Sequence, residues 1–145
     1  MPDDHVKFYN IVAAYTLERI LKHADELKTK VSVFYGHVKG FNSQVTLDYF
    51  QNKNWRLGNY SNLKEQPKWI GADTNSGIQL ADQYAGILGA AMLADRHGNF
   101  EPSYMEKIKP QIRKSRKGRI CGYGIKAITI DSNPKLFKWW PQGWS

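Results

Sequence analysis

The stretch that decides the fold is Gly77-Ile78-Gln79-Leu80-Ala81-Asp82-Gln83-Tyr84-Ala85-Gly86, which opens a helix predicted to run to Ala94. Only Gln79, Asp82 and Gln83 are strongly polar in that segment, and a helix that is apolar around most of its circumference is usually buried. At 100° per residue, the neighbours of Asp82 are apolar or small. They are Ile78, Ala85, Gly86, Gly89 and Leu93. We therefore expect Asp82 to be a buried carboxylate that is paired, protonated or directed into a site.

The composition is that of one globular domain. The chain has 145 residues, 41% of them hydrophobic and 23% charged, which is enough for a single core and unlike a disordered segment. The longest apolar run, Tyr84 to Ala94, is too short to span a bilayer. Cys121 has no second cysteine to pair with, and the N-terminus has no signal-peptide pattern. We expect a cytoplasmic protein without a membrane partner.

Helical and extended patterns alternate along the chain. An amphipathic helix is predicted at 5–28, a strand at 30–36 and a short helix from Asn42 or Ser43 to Phe50. The predicted elements that follow are a loop at 51–68, a short strand at 69–72, the helix that opens at Gly77, a turn at 95–102, a helix at 104–114 that Pro110 ends or kinks, a strand at 125–130 and an aromatic tail at 132–145. This order predicts an α/β fold with a small sheet packed by helices.

The segment Asp73 to Gly86 resembles the Gly-[Leu/Ile]-Gln-Leu-Ala-Asp pattern of the domain-of-unknown-function 3800 family of bacteria and phages. Leu17-Glu18-Arg19 is similar to a Leu-Glu-Arg of that family's preceding helix, and Gly122 to Lys126 is similar to its closing strand. The matches follow one another in the family's order over nearly the whole chain. The Gln-Leu-Ala-Asp part is the most specific of them.

The resemblance implies a ribonuclease-H-like fold, in which acidic residues from strands and a helix bind metal ions at the edge of the sheet. It implies that Asp82 is the carboxylate on the helix and that Asp73, at a strand end, is its companion. Both would be catalytic residues and ligands of Mg²⁺ or Mn²⁺, and the reaction would be metal-assisted hydrolysis of a phosphodiester. The interpretations that compete with this are a structurally paired buried carboxylate for Asp82 and a turn or cap residue for Asp73.

The chain departs from the family's pattern in two places. Members begin with a strand bearing a Tyr-Ile-Asp-Glu-Ser-Gly-like segment, which residues 1–145 do not contain, and they carry a carboxylate where this chain has Gly36 and His37. We therefore expect residues 1–145 to be the C-terminal part of a larger ribonuclease-H-like domain, with an incomplete acidic site. The missing strands would then come from another polypeptide or from a second copy.

A basic segment follows the apolar helix. We define it by seven cations in thirteen residues: Lys107, Lys109, Arg113, Lys114, Arg116, Lys117 and Arg119. With a net charge of +8 and a pI near 9.6, this density favours an acidic partner, either DNA or RNA. The competing interpretation is an ordinary solvated surface. In the tail, Trp139, Trp140 and Trp144 either stack on bases or cover a hydrophobic surface.

Two functions follow from these observations. The first is the C-terminal part of a metal-dependent nuclease-like protein, active or inactive. The second is a non-catalytic basic nucleic-acid-binding module, or a subunit completed by another chain. The four histidines are scattered and do not have the spacing of a zinc site.

Overall fold

The computed structural model describes residues 3–125 and, within them, the side chains other than those of residues 3 and 53–57. The described chain is mixed α/β, mostly helical, with a small two-stranded parallel sheet, as the α/β prediction required. Its elements are α1 (Asp3–Glu26), β1 (Phe34–Gly36), α2 (Ser43–Leu57), β2 (Lys68–Ile70), α3 (Ser76–Met92) and α4 (Ser103–Ile108). Two compact units make up the chain, Met1–Gln79 and Leu80–Ser145, and the boundary between them falls inside α3.

The first unit is built on a parallel β-α-β arrangement. Phe34 pairs with Lys68, Tyr35 with Trp69 and Gly36 with Ile70, and α2 lies in the connection between the two strands. A single bridge from Val31 to Leu63 extends the pairing toward the start of both strands. Parallel strands need such a crossover because the end of the first strand and the start of the second lie at opposite ends of the sheet.

The core of the first unit lies between α1, α2 and the sheet. Its buried side chains are Ala13, Ala14, Leu17, Leu21, Val33 and Phe50. The Tyr35 hydroxyl donates to the carbonyl of Ala13 at 2.9 Å, and burial raises the pKa of Tyr35. Thr46 donates to the Asn10 side chain at 2.6 Å, so these two buried polar groups satisfy each other. Glu18, also buried, pairs with Lys22.

Helix α2 is longer than the sequence pattern indicates. It was predicted to end at Phe50 and be followed by a loop at 51–68, whereas it continues to Leu57. Asn42 caps its start, accepting from the backbone N–H of Gln44 at 3.0 Å. No glycine or proline occurs between Ser43 and Leu57, and the helix stops at Gly58, whose φ of 98° is one that glycine adopts without strain. The loop prediction was therefore wrong for residues 51–57.

The described part of the second unit has a smaller core than the first unit. Ala91, Met105 and Ile120 are buried in it, and Ile87, Leu88, Phe100, Ile112 and Ile125 pack around them. The chain turns after α3 through Asp95–Asn99, where the Asp95 side chain accepts from the backbone N–H of Asn99 and the backbone N–H of Gly98 donates to the Asp95 carbonyl. Helix α4 stops at Ile108 and passes into a 3-10 turn at Lys109–Gln111, which agrees with the effect predicted for Pro110.

Several predictions lie outside the described residues. These are the strand at 125–130 beyond its first residue, the aromatic tail at 132–145 and the stacking role of Trp139, Trp140 and Trp144. Within residues 3–125, no helix combines the length and the apolar character needed to cross a membrane.

Candidate nucleic-acid interface

Two side chains, those of Asn75 and Gln79, fix the start of α3. Asn75 accepts from the backbone N–H of Ile78 at 3.0 Å, which makes it the N-cap. Gln79 donates to the carbonyl of Ala72 at 2.9 Å, so the side chain that follows Ile78 ties α3 to the preceding turn. Ile78 itself is buried. Asn75 is thus the capping residue of α3.

Asp73 lies in the 3-10 turn Ala72–Thr74, directly after β2, and is exposed. Its carboxylate folds back over Gly71, so closely that a Cβ at position 71 would overlap it. The turn follows the carboxyl end of the sheet, where the backbone N–H of His37 donates to Ile70 at 2.8 Å. Asp73 therefore has the position expected of it, at a strand end, and also the geometry of a turn residue.

Asp82 is exposed, which corrects the expectation that it sits in a buried environment. Of its predicted neighbours, Ala85, Gly86 and Leu93 are exposed as well, with Leu93 73% accessible. The buried Ala91 is nine residues further along, which at 100° per residue places it on the opposite side of α3. The helix packs in the second unit through that opposite side, so the Asp82 carboxylate needs no partner to offset burial.

The described residues do not fit the metal site that the resemblance implies. Within residues 3–125, no three or more side chains of His, Cys, Asp or Glu come together in a way that could hold a metal ion. A two-ion site needs several acidic oxygen ligands to offset the charge of the ions. Asp73 and Asp82 alone do not supply that set, and we derive no catalytic step through a metal.

The basic segment is largely at the surface. Lys107, Lys114, Arg116, Lys117 and Arg119 are exposed, while Lys109 and Arg113 are half-buried. Glu101 lies just before α4, where the hydroxyl and backbone N–H of Ser103 lower its pKa and the charge of Lys107 lowers it further. Most of the predicted cations are therefore available to a partner in solution.

The cations at the end of the segment are displayed on a tight turn, Ser115–Arg119. The backbone N–H of Ser115 donates to Arg119 at 2.9 Å, and that of Gly118 donates to Ser115 at 2.9 Å. The Ser115 hydroxyl oxygen accepts from the N–H groups of Lys117 at 3.2 Å and Arg119 at 3.0 Å. Gly118 has φ of 78°, the left-handed conformation that closes such a turn. The backbone thus holds Arg116 and Lys117 at a defined surface loop.

Sequence reasoning missed two tyrosines that accompany these cations. The Lys107 ammonium lies 5.2 Å from the centre of the Tyr104 ring, and the Arg113 guanidinium lies 5.5 Å from that of Tyr123. Both separations are in the range of a cation–π interaction. The signal available in the sequence was the presence of Tyr104 three residues before Lys107, a spacing that puts both on one side of a helix.

Positive charge is concentrated in the second unit. Residues 80–145 contain eleven Lys and Arg against five Asp and Glu, a net charge of +6, whereas residues 1–79 contain ten against eight, a net charge of +2. The local excess, more than the total, determines the field that a polyanion meets at close range, because salt screens charges beyond about 10 Å.

Comparison of the chain with protein-family models, with curated proteins and with solved structures finds no match. The family resemblance of residues 73–86 remains a prediction.

Proposed function

We propose that this chain is a nucleic-acid-binding module whose basic segment contacts the phosphate backbone. The observation that carries the proposal is the exposure of five cations of the segment, Lys107, Lys114, Arg116, Lys117 and Arg119. Neutralising phosphates with Lys and Arg releases condensed counterions, so each contact adds to affinity and to its salt dependence. The function requires no acidic site.

The fixed turn strengthens this proposal. A cation on a mobile loop loses conformational entropy when it meets a phosphate, whereas a cation held on an ordered turn loses less. The two hydrogen bonds accepted by Ser115 hold the backbone at Lys117 and Arg119 before any ligand arrives. Arg116, Lys117 and Arg119 are therefore the side chains we expect to contact phosphates most closely.

The test is a charge reversal at the surface of the segment. In the triple variant Lys114→Glu, Arg116→Glu, Lys117→Glu, we expect binding of labelled DNA and RNA to be lost at physiological salt. At low salt, residual binding should have a slope of log K against log salt that is shallower by about 2 to 3, because up to three phosphate contacts are gone. Fluorescence anisotropy over a salt series measures both quantities.

The matched control reverses three exposed cations of the first unit, Lys30→Glu, Lys39→Glu and Lys64→Glu. Both triples lower the formal net charge from +8 to +2, so a difference between them reports the location of the charge. Equal weakening by the two triples, or no binding of nucleic acid by the natural chain at low salt, would contradict the proposal.

A second proposal, the ribonuclease-H-like one, rests on the parallel β-α-β arrangement followed by a helix that carries a carboxylate. Asp73 follows β2, and Asp82 lies on α3, the order that the resemblance implies. In this proposal the chain is part of a larger nuclease-like fold, and another polypeptide or a second copy supplies the missing strands and acidic ligands.

Nuclease activity with Mg²⁺ or Mn²⁺ separates the two proposals. We expect Asp82→Asn to abolish cleavage if Asp82 is a metal ligand, because an amide does not offset the charge of the ion. Equal activity of the natural chain and the variant would remove Asp82 from the mechanism. The first proposal expects binding to be unchanged in the variant, because Asp82 lies outside the basic segment.

A further inference from the structure

Tyr104 carries an exposed aromatic ring three residues before Lys107, the first cation of the basic segment. It lies on α4 and is 53% accessible, although an aromatic side chain gains most by being buried. The next residue of α4, Met105, is buried in the core of the second unit, so the helix is anchored there while Tyr104 is exposed. The ring is accordingly held on a rigid element and is open to a ligand.

Tyr104 also has a cation beside it. The Lys107 ammonium is 5.2 Å from the ring centre, and a second pair of the same kind, Arg113 with Tyr123, occurs further along the segment at 5.5 Å. Tyr123 is half-buried, which leaves Tyr104 as the more accessible of the two rings. Aromatic rings next to cations are the arrangement by which proteins hold single strands: the cations follow the phosphates and the rings stack on bases.

A duplex cannot use such a ring in the same way. Its bases are stacked on one another and paired, and removing one from the stack has an energetic cost. A single strand presents the face of each base, and stacking tolerates any sequence because every base has a π-face. An exposed ring among phosphate-binding cations therefore favours the single strand over the duplex.

We propose that the basic segment binds single-stranded nucleic acid, with Tyr104 as the platform on which a base stacks. The inference rests on the proposed nucleic-acid-binding function and adds the form of the ligand. Lys107 has two roles in this proposal. Its ammonium lies close to the Tyr104 ring, and its charge contacts the phosphate next to the stacked base.

The experiment measures binding of a fluorescein-labelled single strand of about 15 nucleotides and of a duplex of the same length. Tyr104→Leu keeps an apolar side chain with a high helix propensity but cannot stack on a base. We expect it to weaken single-strand binding by about 5- to 150-fold, the range measured for loss of one base–aromatic stack. Duplex binding should stay unchanged, and so should the salt slope, because no phosphate contact is removed.

Two further variants keep the result interpretable. Tyr104→Trp enlarges the ring, and we expect it to retain or tighten single-strand binding. Phe8→Ala removes an aromatic ring that is 62% accessible in the first unit, and we expect no change. Equal weakening of single-strand and duplex binding by Tyr104→Leu, or no weakening of either, would overturn the stacking role.

Failure of this inference is distinguishable from failure of the proposed function. If the natural chain binds single strand and duplex equally and Tyr104→Leu has no effect, the stacking role is wrong while nucleic-acid binding stands. If the natural chain binds neither, both are wrong.

Discussion

At the scale of single residues, Asp95 has the clearest electrostatic role. Its Oδ1 accepts from the backbone N–H groups of His97 at 2.7 Å and Asn99 at 2.9 Å, which closes the turn after α3. These backbone hydrogen bonds, that of Asn99 first, lower the pKa of Asp95 below its ordinary value of 3.8. The carboxylate form is therefore the one that the folded turn favours.

The pH dependence of stability follows from that sign. Because the folded-state pKa is the lower one, the contribution of Asp95 is present above pH 3.8 and is lost as the pH falls below that value through the folded-state pKa. We expect Asp95→Ala to lower the thermal midpoint at neutral pH and the difference to shrink in acid. Asp95→Asn keeps an acceptor oxygen but does not titrate there, so it should lack this pH dependence. A difference between Asp95→Ala and the natural chain that is constant with pH would contradict the assignment.

Asp82 illustrates what single-residue reasoning missed. The apolar character of its neighbours on the helix predicts burial, whereas Asp82 is exposed. The three polar residues Gln79, Asp82 and Gln83 lie within an arc of about 100° around the helix, and the buried Ala91 lies opposite Asp82. The arc occupied by polar side chains was the better predictor of the exposed side. Alanine and glycine carry too little apolar surface to require burial.

At the scale of elements, α3 differs in exposure along its length. Leu80 is 52% accessible, and the small residues Ala81, Ala85 and Gly86 are exposed beside it, whereas Ala91 is fully buried. A Cβ added at Gly86 would meet no atom within 4 Å. The helix therefore behaves as a surface helix of low polarity, not as the buried helix that its composition predicts.

Substitution near the two ends of α3, at Leu80 and Ala91, tests this arrangement. We expect Leu80→Lys to change the free energy of unfolding by less than about 0.5 kcal/mol, as is usual for an exposed site. Ala91→Leu should cost about 1 to 3 kcal/mol, because extra methylene groups do not fit a packed core. Chemical denaturation of the full chain, with amide exchange to locate the effect, provides the measurement. A large decrease in the free energy of unfolding for Leu80→Lys would instead indicate that α3 is buried at this position.

The elements were predictable where local chemistry determines them. The cap at Asn42, the cap at Asn75 and the interruption at Pro110 follow from side-chain hydrogen bonding and from the missing N–H of proline. The predicted end of α2 at Phe50 was too early, because polar residues alone do not end a helix. Gly58 is the first residue after Phe50 that stops it. The turn Ser115–Arg119 was not predicted, because it depends on the Ser115 hydroxyl and on the positive φ of Gly118 and not on the charge of the segment.

At the scale of the whole molecule, charge and architecture are unevenly divided. The second unit carries +6 of the total +8, and the described sheet lies in the first unit. The α/β class was predictable because helical and extended patterns alternate along the sequence. The division into two units was not predictable, because it depends on which apolar residues contact one another in the fold. The periodicity of a helix shows which of its sides is apolar but not which element packs against that side.

The continuity of α3 has a consequence for any attempt to lengthen or shorten the chain. The boundary between the units lies between Gln79 and Leu80, but those residues are consecutive positions of one helix, from Ser76 to Met92. One inserted residue there would rotate every following side chain by about 100° relative to Ile78 and advance it by about 1.5 Å. A flexible spacer therefore cannot be inserted at this boundary without interrupting α3.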